Sequence, residues 1–487
     1  MRGSGGESLT YVVRPRIVAH FLGQLGLMLA LLTGAPLIAS VVYGEFTVSL
    51  RYAAVIAGIL ALAWPASRLK IPKGVQANEA LSVTALAFIL APLIMTFPLQ
   101  ASAGLGFVDA FFEAVSAATT TGLSMVPVPE DTARTFVFAR AWMQWYGGLG
   151  IAVLSIALLM GQSVATRRLI EPKPTDTFVT TTRAHARRVL QVYGVLTVLA
   201  VVTLSVLAGN FEHGLAHALA AVSTGGFSSH ADSLASTSTA FAFAALGFAL
   251  LGAITLPLYY TVFREKTSRL WVDVEWVWLL GAVAIGALLL VGTLLWQHGL
   301  PMGTAVKEGL LLSMSAQSTA GFAAMAPAEL NDFGLGVLMT QMLIGGNVGS
   351  TAGGIKLLHV LILARVIQLA IQRTGMGPHS VATPRLFGET IEPQTLTNAL
   401  LVVVLFVLTV MLSWLIFLAH GMPPMQSLFE VISATGTVGL SSGLVGTELP
   451  TTLKLVLCFD MLAGRVEVVA LLVLLWPGTW IGRRYAS

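Results

Sequence analysis

Apolar positions along this chain fall in long, nearly unbroken runs, and the polar positions gather in short stretches between them. The runs cover about 17–43, 51–67, 79–99, 136–161, 188–208, 237–263, 273–298, 336–367, 398–420 and 453–477. A helix needs about 20 residues, and at least ~17, to cross a hydrocarbon core ~30 Å thick, so ten spanning helices are expected. Four shorter segments lie between the third and fourth, fifth and sixth, seventh and eighth, and ninth and tenth runs. At about 10 to 13 residues each they reach ~15 to 20 Å as helix, half a bilayer, and are expected to enter and leave by the same side.

Each short segment ends on a version of one stretch: Thr120-Thr121-Gly122-Leu123-Ser124, Thr224-Gly225-Gly226-Phe227-Ser228, Thr319-Ala320-Gly321-Phe322-Ala323 and Thr437-Val438-Gly439-Leu440-Ser441. The register extends upstream. Nine residues before the glycines stand Glu113, His217, Leu312 and Glu430, and six before stand Ser116, Ala220, Ser315 and Ser433. This is internal repetition of a helix, pore helix, glycine stretch and helix, over 79–161, 188–264, 273–367 and 398–477, the last continuing to the C-terminus at 487. Residues 1–78 form an added two-helix hairpin, and 162–187 reads as a basic cytoplasmic loop, its arginines serving either topology or the docking of a partner.

The expected fold is therefore an all-α integral membrane protein, with four repeats around one central pore. Inside a membrane, non-helical backbone survives only where it is buried in protein or lines a wet cavity, so four such stretches most economically surround one ion path. Backbone carbonyls turned inward ligate a dehydrated monovalent cation without a fixed counter-charge. The candidate ion ligands are Thr120, Thr121 and Gly122, Thr224, Gly225 and Gly226, Thr319, Ala320 and Gly321, and Thr437, Val438 and Gly439.

Composition closes off other classes. The chain is 56% hydrophobic and 10% charged, with a mean hydropathy of +0.83, which excludes an ordinary soluble domain, where about 25% of residues are charged. With the N-terminus inside, twenty-one Lys and Arg fall on the cytoplasmic side against five outside, Arg51, Arg134, Arg140, Lys307 and Lys454, so both termini are expected in the cytoplasm. The single Cys458 forms no internal disulfide, and no cleavable signal peptide is expected, because Met1–Arg16 is polar and the run after it is too long. His213 and His217 lack the Glu of a zinc-protease motif, and no nucleophile constellation points to an enzyme.

Two further features carry chemistry. The run 336–367 is too long for one straight span and contains Gly345, Gly346, Asn347, Val348, Gly349, Ser350, Thr351, Ala352, Gly353, Gly354, Ile355 and Lys356. Either the small residues pack helices closely, or the helix breaks there into a movable gate with Asn347, Ser350 and Thr351 facing the cavity under the filter. Arg465 lies deep in the last span, either in a structural pair with Asp460 or Glu467 or as an electrostatic barrier below the filter.

The four Thr-x-Gly stretches, Gln144-Trp145-Tyr146-Gly147-Gly148-Leu149-Gly150, Gly349-Ser350-Thr351-Ala352-Gly353-Gly354-Ile355-Lys356 and Gly464-Arg465-Val466-Glu467 resemble the Trk/Ktr/HKT superfamily of potassium transporters, and the early hairpin resembles its TrkH type. The resemblance implies one potassium path in each chain, K+ and Rb+ as cargo, and a homodimer in the lipid bilayer of a bacterial inner membrane. It also implies cytosolic nucleotide-binding subunits of the RCK type (TrkA-like) that control the gate, with no organic cofactor on this chain and no nucleic-acid partner. Gly at all four filter positions implies potassium over sodium. The chain departs at Gly436, which stands where the other repeats have Thr119, Ser223 and Ser318. The alternative is a proton- or sodium-coupled symporter, which usually places paired ionisable residues near the midplane.

Overall fold

The structure, a computed structural model, describes residues 12–71, 75–160, 178–265, 274–376, 385–386 and 389–481. It is an all-α membrane protein, whose only strands among the described residues are the pair Arg385–Leu386 and Glu389–Thr390. Among the described residues, seven helices are long and apolar enough to cross a membrane. Six of them correspond to expected spans, and the seventh, Leu357–Thr374, is the inner half of the run 336–367.

Helices α1 (Pro15–Val42) and α2 (Phe46–Ser67) form the hairpin, whose backbones approach so closely that a Cβ on Gly23 would meet the backbone of Ala63, Ala66 and Ser67. Small residues face the protein and large ones face outward, as expected where lipid replaces water: α1 buries Ala30, Thr33 and Ser40 and exposes Leu31 and Ile38. The hairpin is tied to α3 (Ala77–Ala103) by Arg14, whose Nε lies 2.7 Å from Glu79 Oε1, while Glu79 also closes a capping box with Gln76.

The four short helices α4 (Phe107–Ala118), α7 (Phe211–Val222), α11 (Met302–Ser318) and α15 (Pro424–Thr435) sit at the centre. Their last two turns are buried on nearly every side, Met314 of the third being the half-buried exception, which is why they read Ala-Val-Ser-Ala-Ala or the like. The third has 17 residues, longer than the expected 10 to 13. Each follows a long helix, α3, α6 (Phe178–Ala208), α10 (Val274–Trp296) or α14 (Pro393–Ala419). Helix α6 starts at Phe178, so the expected loop 162–187 ends in helix; Arg167 and Arg168 lie outside the described residues.

The second helix of the repeats differs most from expectation. Only α5 (Arg134–Met160) runs unbroken. The run 237–263 divides into α8 (Thr239–Gly252) and α9 (Leu256–Glu265), and the run 453–477 into α16 (Thr451–Val466) and α17 (Val468–Leu475) at Glu467, whose φ is +61°. The run 336–367 also breaks, between α12 (Asp332–Leu343) and α13 (Leu357–Thr374), so residues 344–356 form a loop inside the bundle instead of a closely packed helix.

Candidate ion-conducting site

Each pore helix ends in the same turn. The N–H of Thr120, Thr224, Thr319 and Thr437 donates to the carbonyl three residues back, and the N–H of Thr121, Gly225, Ala320 and Val438 to the carbonyl five back, at 2.7 to 3.2 Å. This is the Schellman closure, which places its central residue in the left-handed region. Glycine is usual there, yet here all four are the β-branched Thr, with φ of 57°, 53°, 56° and 49°. A left-handed L-residue costs about 1 to 2 kcal/mol, and strain of this kind collects at functional sites. The following glycines are left-handed too, Gly122, Gly226, Gly321 and Gly439 having φ of 93°, 73°, 73° and 97°. Alternation of handedness along a strand lines up successive peptide groups on one face.

The four stretches close on one another. A Cβ on Gly122 would overlap the carbonyl oxygen of Gly225, one on Gly226 that of Ala320, one on Gly321 that of Val438, and one on Gly439 that of Thr121. First meets second, second third, third fourth and fourth first, an unbroken cycle from residues far apart in sequence. Within it the Oγ1 atoms of Thr120 and Thr437 are buried with no hydrogen-bond partner among the described residues. Thr224 donates to Ser223 O at 2.7 Å, and Thr319 accepts from Gly353 N at 2.8 Å.

The upstream register has a structural meaning. Ser116 and Ser433 Oγ each accept from the N–H of Gly122 and Gly439 at 3.0 Å. Glu113 accepts from Ser124 Oγ and Met125 N at 2.6 Å, and Glu430 from Ser441 Oγ and Ser442 N at 2.8 and 2.7 Å. In the second repeat His217 Nε2 lies 3.1 Å from Ser228 Oγ. In the third, Leu312 and Ala323 occupy these two register positions, so both members of the polar pair are replaced together. The hydroxyls of Thr119, Ser223 and Ser318 donate at 2.7 to 2.8 Å to carbonyls four residues back on their own helices. They therefore close helices, and Gly436 lacks no ligand on that account. The close approach of the loop to this turn is made by Gly353, on which a Cβ would overlap Gly436 O and Thr437 Oγ1.

Sequence reasoning missed Gln144 as a support: its Nε2 donates to Gly225 O, and its Oε1 accepts from Phe227 N at 3.2 Å. It also counted Arg140 as an outer topology charge, whereas the side chain is 1% exposed and inside the protein. An arginine one turn before a Gln that faces the glycine stretch, with an acid nine residues before the glycine, was the available signal.

Below the stretches lies the 344–356 loop. Gly345 N bonds Ile355 O and Ile355 N bonds Leu343 O, both at 3.0 Å, so the loop folds back on itself. It docks in the break of the second repeat, with Asn347 N on Ala253 O at 3.0 Å and Leu256 N on Gly349 O at 3.2 Å. Thr351 Oγ1 donates to Val222 O, the end of a pore helix, at 3.2 Å, and to Gly252 O at 3.0 Å. Thr351 is thus bonded upward instead of facing an open cavity; Ser350 Oγ bonds Asn347 O at 2.6 Å, and both side-chain polar atoms of the fully buried Asn347 lack partners among the described residues. Gly346 packs on Ala352 and Ala253, Gly354 has φ +66°, and Lys356 Nζ donates to Ala352 O. Arg465 Nη1 donates to Thr351 O at 2.8 Å and Nη2 to Gly147 O at 3.3 Å. Its partners among the described residues are these carbonyls, not Asp460, which accepts from Ser413 Oγ at 2.6 Å, nor Glu467. A cavity of about 50 Å³ lies beside them, lined by Ser350, Lys356, His359, Arg465 and Glu467 among others.

Residues 47–477 match the family described as TrkH, cation transport protein. The chain is 27% identical to an uncharacterized cation transporter, MJ1485, of Methanocaldococcus jannaschii over 94% of each chain. It is 25% identical to the Trk system potassium uptake protein TrkG of Escherichia coli, over 96% of this chain and 98% of that one. Its fold matches the crystal structure of the potassium transporter TrkH from Vibrio parahaemolyticus with a TM-score of 0.85, at 24% identity, covering 96% of this chain and all of that one. By its own motifs and by a match across most of its length, this chain belongs to the TrkH family of cation transport proteins, as a TrkH-type member of the Trk/Ktr/HKT superfamily.

Proposed function

We propose that this chain takes up potassium through the ring of four Thr-x-Gly stretches, which acts as a backbone-carbonyl selectivity filter, and that the 344–356 loop with Arg465 is the gate beneath it. The observation that carries the reading is the closed cycle in which Gly122, Gly226, Gly321 and Gly439 each abut a carbonyl of the next stretch. A ring of that tightness has carbonyls from four sides at one level, and the two orphaned Thr hydroxyls supply further oxygens for a cation. The loop is bonded to a pore-helix end and to Arg465, so a path along the ring's axis is blocked until these bonds yield.

In this reading residues 79–161, 188–264, 273–367 and 398–487 are the four quarters of one pore, with the 1–78 hairpin outside it. The chain works as a homodimer in a bacterial inner membrane with both termini in the cytoplasm, and nucleotide-bound RCK-type subunits move the loop from below. One observation favours the coupled carrier instead: Asp460 is fully buried in the last broken helix, with Oδ2 lacking a partner among the described residues, as a proton-carrying acid would be.

Purified protein in liposomes tests both. Potassium and rubidium are expected to pass down their own gradients and sodium much less. Potassium movement that stops when the proton and sodium gradients are collapsed would replace the channel reading with the carrier.

A further inference from the structure

We propose that Arg140 is a positioning residue for cation selectivity, holding the outer ends of the first and second Thr-x-Gly stretches in register through its ion pair with Glu113. The proposal rests on the reading of those stretches as the filter. Arg140 Nη1 lies 3.2 Å from Glu113 Oε2 and 3.1 Å from Ser124 Oγ, and Nη2 lies 3.4 Å from Ser228 O. The guanidinium is also sandwiched between Phe136 and Phe227, at 4.5 Å from each ring centroid. Ser124 follows Gly122 by two residues, and Phe227 and Ser228 follow Gly226 directly. One buried side chain therefore touches the outer flank of two neighbouring stretches by hydrogen bonds and by a stacked face. The planar fork of arginine suits both contacts, and the point charge of lysine does not.

The pair is an unusual choice for packing alone. Burying two charges costs desolvation, and an apolar pair of similar size is commonly as stable or more so. In the third repeat the acid itself is absent, since Leu312 and Ala323 stand where the first has Glu113 and Ser124. The fourth repeat makes the comparison sharper. Gly147 and Gly464 are equivalent, since each packs on the carbonyl four residues before its filter glycine, Ala118 O and Thr435 O. Seven residues before Gly147 stands Arg140; seven before Gly464 stands Leu457. Accordingly Glu430 bonds its own strand through Oε1 and leaves Oε2 without a partner among the described residues, while Glu113 bonds its strand through Oε1 and gives Oε2 to Arg140. The acid alone braces one strand; the added arginine links two.

The test is the rubidium-to-sodium flux ratio in liposomes, read with the melting temperature on the same preparations, for Glu113→Gln, Arg140→Met, Arg140→Lys, the double variant Glu113→Gln/Arg140→Met, and Glu430→Gln. Glu113→Gln and Arg140→Met are each expected to lower the ratio about tenfold and to lower the melting temperature, because each leaves a buried partner uncompensated. Arg140→Lys falls between. Glu430→Gln keeps its Oε1 acceptor and stays within about twofold of wild type, since no cation loses a partner. The double variant decides between positioning and simple stability: with no buried charge left, its melting temperature recovers, while its ratio stays low because the bridge is gone. Recovery of both, or wild-type ratios in the folded single variants, overturns the proposal. Gly122→Ser run alongside separates the two levels. If it lowers the ratio and the Arg140 variants do not, only the bridge is wrong; if it too leaves the ratio unchanged, the filter reading fails and takes the bridge with it.

Discussion

Replacing Gly122 by Ser is expected to remove most of the preference for potassium over sodium. Two costs combine at this position. The backbone is left-handed at φ +93°, where an L-residue costs about 1 to 2 kcal/mol. The new Cβ would also overlap Gly225 O, which is held from behind by Gln144 and so has little freedom to retreat. The contact between first and second stretches must open, and a difference in ion fit of roughly 1.4 kcal/mol is already a tenfold change in selectivity. We expect a fall of at least that size, with Gly226→Ser, Gly321→Ser and Gly439→Ser behaving alike because each abuts a carbonyl in the same way. Gly150→Ser is the control: among the described residues nothing lies within 4 Å of its missing Cβ, and its flux ratio should match wild type. Isotope flux of rubidium against sodium, on protein verified as folded, reads the difference.

The second large effect is expected at the gate. Arg465→Ala should raise potassium flux severalfold and leave selectivity intact. The guanidinium stands beside the loop, and at an effective dielectric constant near 20 a positive charge ~6 Å from a passing cation opposes it by about 3 kcal/mol before solvation reduces the figure. The same side chain tethers the loop through Thr351 O and the first repeat through Gly147 O. Losing it therefore lowers the barrier and frees the loop together. Because its partners are carbonyls, removal leaves no carboxylate stranded, and the stability loss should stay near the 1 to 3 kcal/mol of lost charged hydrogen bonds. Thr351→Val removes the loop's hydroxyl bonds to Val222 and Gly252 and should raise flux in the same sense by a smaller factor. A large loss of melting temperature in Arg465→Ala with no gain in flux would return Arg465 to a structural role.

What the sequence disclosed and what it withheld follow from how each feature is encoded. The four-fold repeat was legible because Thr and Gly recur in register with the positions six and nine residues upstream, and in the first and fourth repeats the structure gives each of those upstream positions the same bonding role. The helix breaks at 253–255 and 467 were hidden, because hydropathy averages over a run and does not register a turn within it. Pro257, just inside α9, was the overlooked sign of the first break, since proline favours a helix start and forbids the bond to the preceding turn. No comparable sign marks the second: Glu467 takes a left-handed conformation that its residue type disfavours. Arg140 was misread because the count of positive charges assumes that a charge near a span end faces water. Here an acid on another helix and two aromatic rings hold it inside. Gly436 looked like a defect in the filter when compared with Thr119, Ser223 and Ser318, because the sequence alone does not say that those hydroxyls point back along their helices.

The most direct test of the central claim is the position of the ion itself. Crystals of the protein grown in a rubidium salt, measured at the rubidium absorption edge, should show anomalous density on the axis of the ring, level with the carbonyls of Thr121, Gly225, Ala320 and Val438 and near the free hydroxyls of Thr120 and Thr437. Replacing rubidium by sodium should leave that site without comparable ordered ion density. Rubidium bound away from the ring, at Asp460 or elsewhere in the bundle, with none on the axis, would contradict the account.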